Sequence, residues 1–155
     1  MAIHFQESWK GKRTLASAQR SLLFVYGTLK RGKHSHRYLG GSRFIGVGRT
    51  GPEWTLLSNG CFPALTHAPE GMKPDFCGVM GEVFEIAPQS LWAILDDYEA
   101  VSDGLYRREE ISLGQFEKDS AFPETNDQAT QKPIRVQTYV FTGSRIGFSW
   151  HGSCW

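Results

Sequence analysis

Apolar residues along this chain gather in short runs. Leu22, Leu23, Phe24, Val25 and Tyr26 form one that stops at Gly27. A run of that length, bounded by glycine, predicts a strand buried on both faces. Further strands are predicted over 44–47, 54–57, 78–86, 107–113 and 136–141. Gly, Pro, Asn and Ser separate them, the pattern of a compact mixed sheet or barrel. One segment has a different period. Pro88 suits a first helical turn, and Leu91, Ile94, Leu95 and Tyr98 follow at i, i+3, i+4 and i+7. A shorter helix is expected over 36–39. Residues 1–20 are polar and aperiodic and read as a flexible lead-in, with Trp9 able to dock on the body. Residues 117–133, EKDSAFPETNDQATQKP, read as a long peripheral loop between two strands. No repeat or linker interrupts 21–155, so one domain is expected.

Composition narrows the class. A chain of 155 residues with 40% hydrophobic and 21% charged side chains is an ordinary single globular unit. Its 17 basic and 16 acidic residues give a net charge of +1, which calls for neither nucleic acid nor an acidic membrane surface. Cys61, Cys77 and Cys154 make no CxxC pair, so a disulfide framework or tetrahedral zinc site is not indicated. Three free thiols, no secretory h-region and no apolar run of membrane-spanning length point to a cytoplasmic protein.

The glycine after the first strand is the first candidate for chemistry. VYGTLKRGK puts a tight turn at the carboxyl end of a buried strand. Successive amides in such a turn can nest an anion, and Lys30, Arg31 and Lys33 add positive charge nearby. The alternative is an ordinary strand-ending turn with a solvated basic face. Gly27-x-x-x-x-Gly32-Lys33 also matches most of a P-loop, but His34 stands where a Ser or Thr should bind magnesium, and Leu29 is bulky for a phosphate cradle.

The second candidate is a carboxylate. Asp96, Asp97 and Glu99 lie on the predicted helix. At about 100° per residue, both aspartates point well away from the apolar face, while Glu99 falls at its edge near Leu95 and Trp92. Burial and the negative end of the helix would both raise its pKa, as suits a general acid/base near neutral pH. The competing reading is a solvated helix-end acid, or one paired with Arg107 or Arg108. Cys61 with His67 lacks an orienting third residue for nucleophilic catalysis, and His34 with His36 would diverge on a helix rather than share a metal.

Taken together, four segments resemble the γ-glutamylcyclotransferase-like superfamily, which includes the γ-glutamylamine cyclotransferases and the plant avirulence-induced (AIG2-like) proteins. Phe24-Val25-Tyr26-Gly27-Thr28-Leu29-Lys30-Arg31-Gly32 is similar to its loop motif. Phe62-Pro63-Ala64-Leu65 and Gly81-Glu82-Val83-Phe84-Glu85-Ile86 follow in the family's order. Leu95-Asp96-Asp97-Tyr98-Glu99, then Tyr106-Arg107-Arg108, resembles its catalytic segment. The resemblance covers about residues 22–113 and reaches weakly to Tyr139-Val140-Phe141.

It implies an α+β fold, a small mixed β-barrel with flanking helices, and a cavity at the Tyr26-Gly27-Thr28-Leu29 loop. It implies Glu99 as the catalytic acid/base, and Tyr26, Gly27, Thr28, Leu29 and Tyr106 as substrate contacts. The activity implied is cleavage of a γ-glutamyl amide to 5-oxoproline and a free amine or amino acid, with no metal or cofactor. The partner is then a small-molecule γ-glutamyl substrate, neither nucleic acid nor membrane, with the leaving amine and the oligomeric state left open. The chain departs from the family pattern at Ala100, where glycine often follows the catalytic glutamate, and in the length of 117–133. A non-catalytic binding module on the same fold, a nucleotide-binding protein using the near-P-loop, and an enzyme acting on another amide are the rival readings.

Overall fold

The computed structural model describes residues 21–71, 78–121, 133–152 and 154–155; the expected lead-in over 1–20, Trp9 and most of the 117–133 segment lie outside them. Eight strands are β1 (Leu22–Val25), β2 (Arg43–Thr50), β3 (Trp54–Ser58), β4 (Pro63–His67), β5 (Met80–Glu85), β6 (Tyr106–Lys118), β7 (Arg135–Phe141) and β8 (Ser149–Gly152). Strands β1-β5-β2-β6-β7 close into a barrel, and β4-β3-β8 form a separate three-stranded sheet. The barrel is mixed: β1 runs antiparallel to β5 but parallel to β7, where Leu23 faces Gln137.

The apolar run that predicted β1 is buried on both faces, as its lack of alternation requires. Leu23 and Val25 join a core cluster with Leu91 and Leu95 of helix α1 (Leu91–Tyr98), while Phe24 and Tyr26 join a second with Leu56 and Leu65 of the smaller sheet. Gly81 on β5 lets β1 lie close, since a Cβ there would sit 2.5 Å from the Val25 carbonyl oxygen and 2.6 Å from the Phe24 ring.

The expected flanking helices are present among the described residues, one an α-helix and the shorter one a 3-10 turn over His36–Leu39. Other expectations need correction. Pro88 precedes the helix rather than opening it; its carbonyl accepts the Leu91 N–H at 3.0 Å, and Ser90 is the N-cap. Strand β6 continues through Glu117 and Lys118, which the sequence pattern assigns to the loop, because both pair with β2 at Val47 and Gly46. Strands β4 and β8 have no counterpart among the predicted strands. No helix among the described residues is long and apolar enough to cross a membrane.

Helix α1 is also turned from its predicted orientation. Ile94 is 52% exposed, whereas Leu91 and Leu95 are buried and Trp92 packs on the core. With Leu91, Trp92 and Leu95 defining the inner face, Glu99 lies within about 40° of its centre rather than at its edge. The helix then stops in a Schellman arrangement. The Ala100 N–H bonds the Asp97 carbonyl and the Val101 N–H bonds that of Asp96, each at 3.0 Å. This closure puts Ala100 at φ 50°, in the left-handed region that favours glycine.

Candidate active site

The end of β1, the end of α1 and the start of β6 meet at a cavity of about 210 Å³. All six residues singled out from the sequence line it: Tyr26, Gly27, Thr28, Leu29, Glu99 and Tyr106. Val25, Phe62, Pro63, Tyr98, Leu105 and Tyr139 complete the wall.

Glu99 is the helix C-cap, and its carboxylate makes no ion pair or hydrogen bond among the described residues. Both arginines considered as its partners are turned elsewhere, Arg107 to Glu109 at 2.6 Å and Arg108 to Asp96 at 3.5 Å. Burial pushes the Glu99 carboxyl from its ordinary 4.5 up to about 7. A carboxyl so placed exchanges its proton near neutral pH.

The tyrosines around it stay protonated, because burial, with Glu99 adding to it, pushes Tyr26, Tyr106 and Tyr139 well above the ordinary phenol value. Each hydroxyl is also tied to the fold. Tyr26 Oη donates to the Tyr139 carbonyl at 2.6 Å and accepts the Leu65 N–H at 3.3 Å. Tyr106 Oη donates to the Pro63 carbonyl at 2.9 Å, and Tyr139 Oη to Asp96 Oδ1 at 2.8 Å. These rings therefore shape the cavity while their polar tips join β1, β4, β6, β7 and α1.

The loop is held from beneath. Tyr98 Oη lies 3.2 Å from Thr28 Oγ1 and 2.6 Å from the buried Ser35 Oγ, so the helix that carries Glu99 is bonded to the loop it faces. His36 Nδ1–H donates to the Leu29 carbonyl at 2.9 Å. Gly27 is needed for a close approach: a Cβ there would sit 2.6 Å from Pro63 Cγ. The amides of Gly27, Thr28 and Leu29 donate to no acceptor among the described residues.

The basic residues expected to support this loop do not line the cavity. Lys30 Nζ donates to the Trp155 carbonyl, and Arg31 bonds Glu82 at 3.2 Å while stacking on Phe44. Lys33 is exposed. Two consecutive turns close with Lys30 N–H to Gly27 O and Lys33 N–H to Lys30 O, and a 3-10 turn follows. A P-loop wraps phosphate at the start of an α-helix, and that context is missing after Lys33.

A profile of the family described as γ-glutamyl cyclotransferase, AIG2-like, matches residues 23–149. The chain belongs to this family. It is 32% identical to the human γ-glutamylaminecyclotransferase over 137 residues, which is 84% of this chain and 83% of that protein. The rat γ-glutamylaminecyclotransferase is 34% identical over 106 residues, 64% of this chain and 67% of that protein. A crystal structure of an AIG2-like protein from Mus musculus superposes with a TM-score of 0.65 at 23% identity, over 86% of this chain and 87% of that one.

The departure noted from the sequence at Ala100 falls on the residue whose φ is positive, so alanine occupies a conformation that favours glycine. Sequence reasoning passes over Val25, Phe62, Pro63, Tyr98, Leu105 and Tyr139 as cavity residues. Val25, Phe62 and Pro63 lie in motifs that carry the resemblance, Tyr98 stands beside Glu99, and Tyr139 lies where the resemblance reaches weakly, so these carry a signal. Leu105 lies in no such motif, and only the fold brings it to the cavity.

Proposed function

We propose that this chain cleaves a γ-glutamyl amide by intramolecular cyclisation, with Glu99 moving the proton. The observation that carries this reading is Glu99 itself, half-buried in the cavity, without a cationic partner among the described residues, and pushed up to about 7. A carboxylate kept only for stability would be expected to be paired or solvated.

In the reaction, the substrate's α-amine attacks its own γ-carbonyl carbon. A new C–N bond closes the five-membered ring of 5-oxoproline, and the bond to the leaving nitrogen breaks. Glu99 takes the proton that the ammonium must lose and gives it to the leaving nitrogen, a transfer typically worth about 10² to 10⁴ in rate. Folding the γ-glutamyl chain so that its ends meet is an orientation problem worth up to about 7–11 kcal/mol. The tyrosine-walled cavity suits that task, and the unpaired amides of Gly27, Thr28 and Leu29 offer donors for a substrate oxygen. The names of the human and rat relatives support a γ-glutamylamine as the substrate type.

The direct test is 5-oxoproline release from γ-glutamyl amides, followed by mass spectrometry, with Glu99→Gln alongside. The variant keeps shape and loses the base, so turnover should fall at least about a hundredfold while the circular dichroism spectrum is unchanged. A variant rate close to that of the parent would remove Glu99 from the mechanism. Ligand-induced stabilisation with no turnover would instead indicate a binding module.

A further inference from the structure

The rim of the cavity is divided by chemistry. Thr28, Tyr98 and Glu99 make its polar part, and Phe62 and Leu105 its apolar part. Both apolar residues are held in place. Phe62 packs edge-on against Phe148 at 5.6 Å, Phe148 lies 4.9 Å from Phe141, and Phe141 meets the cavity residue Tyr106 at 5.4 Å. Leu105 is 36% exposed, yet its N–H bonds the Ala100 carbonyl at 3.1 Å and its own carbonyl accepts the Thr142 N–H at 2.9 Å. Its side chain faces Gly143, where a Cβ would come within 3.0 Å of Leu105 Cδ1.

A γ-glutamyl unit brings one ammonium and one carboxylate. On the cyclisation reading above, these take Glu99 and the loop amides, while the Thr28 and Tyr98 hydroxyls are already bonded to each other, and that of Tyr98 to Ser35. What remains for the leaving group is Phe62 and Leu105. Among the described residues no lysine or arginine lines the cavity, since Lys30, Arg31, Arg107 and Arg108 are committed to other partners. A carboxylate on the leaving group would lose hydration there without a cation to replace it. A second ammonium would compete with the substrate's own for Glu99, the single carboxylate that the described residues place on the cavity wall.

We propose that the leaving group is an uncharged, apolar amine, alkyl or arylalkyl, seated against Phe62 and Leu105. An α-amino acid or a second cation does not fit this seat. The inference rests on the cyclisation reading, and the substrate panel separates failure of the one from failure of the other. Using the full chain, kcat/KM is measured for γ-glutamyl-phenethylamide, γ-glutamyl-alanine and γ-glutamyl-ε-lysine by 5-oxoproline release. The phenethylamide is expected to exceed both others by at least about tenfold. Leu105→Lys, at a partly exposed position, should shift the ratio of alanine to phenethylamide substrate at least about tenfold toward alanine, and Phe62→Ala should lower the preference for phenethylamide. Equal or better use of the alanine or lysine substrate by the parent chain would overturn the apolar seat and leave cyclisation standing. A phenethylamide preference that neither variant alters would overturn the assignment to Phe62 and Leu105. No 5-oxoproline from any member would defeat both readings.

Discussion

Two carboxylates three residues apart on the last turn of α1 have opposite surroundings. Asp96 accepts the Tyr139 hydroxyl at 2.8 Å and faces Arg108 at 3.5 Å, and that guanidinium also lies 4.6 Å from the Trp92 ring. Glu99 reaches into the cavity and finds no such partner among the described residues. Sequence neighbours of like charge are thus separated by about 60° of helix rotation into a partnered carboxylate and one without a partner among the described residues. The difference teaches that, on the cyclisation reading proposed above, what would set Glu99 apart is the withholding of partners. Arg108 is near enough in the chain to serve either acid, and the fold gives it to Asp96.

The largest effect expected from this contrast is on pH dependence. If Glu99 must be ionised to accept the ammonium proton, kcat/KM should fall about tenfold per unit as pH drops below about 7. A profile flat between pH 5 and 7 would mean that Glu99 does not titrate in the step measured.

Stability should show the reverse dependence. The folded pKa of Glu99 lies above its unfolded value, so the folded chain holds a proton that the unfolded chain has released between about 4.5 and 7. Below that window the group contributes no penalty; above it, ionisation in the cavity costs the fold about 1–3 kcal/mol. Glu99→Gln should therefore unfold at a higher temperature than the parent at pH 8, with the gap closing by pH 4.5. A gap of equal size at both pH values would refute the assignment of the penalty to ionisation.

Asp96 should behave as the opposite member of the pair. Asp96→Ala leaves the Tyr139 hydroxyl without its acceptor, and the midpoint of urea unfolding should drop by the equivalent of about 2 kcal/mol. Its activity loss should be far smaller than that of Glu99→Gln at a temperature where both remain folded. The smallest effect belongs to the residue that closes the turn. Ala100→Gly relieves a left-handed alanine at φ 50° and should raise stability by up to about 1 kcal/mol, partly offset by the freer unfolded chain. Thermal unfolding of the single variant would show it; a loss of stability would mean that Ala100 is not strained.

The elements with a strong period or a hard boundary are legible in the sequence. Strand β1 announces itself by an unbroken apolar run ending at Gly27, and α1 by its spacing. Helix geometry and motif position select Glu99 independently. What escapes is set by contacts between distant segments. Strand β4 begins at Pro63, a residue that demotes a strand in sequence yet sits comfortably at a strand's first position. Strand β8 is four residues long with three of them exposed, so no burial pattern marks it. Period alone places Ile94 inside, because a helix cannot declare which of its apolar flanks the core will take. Lys30 and Arg31 read as charges beside the loop's pocket, but Trp155 and Glu82, far off in the chain, take them.

The close approach of Gly27 to Pro63 also bears on how such a sequence can change over time. With a Cβ at 27 falling 2.6 Å from Pro63 Cγ, any side chain arriving first at position 27 meets an occupied site. The order of mutations then matters: shortening of Pro63 is permissive, and only afterwards does position 27 become free to vary. Until that first step occurs the glycine is entrenched, held by its neighbour on the facing strand whatever ligand the cavity comes to bind.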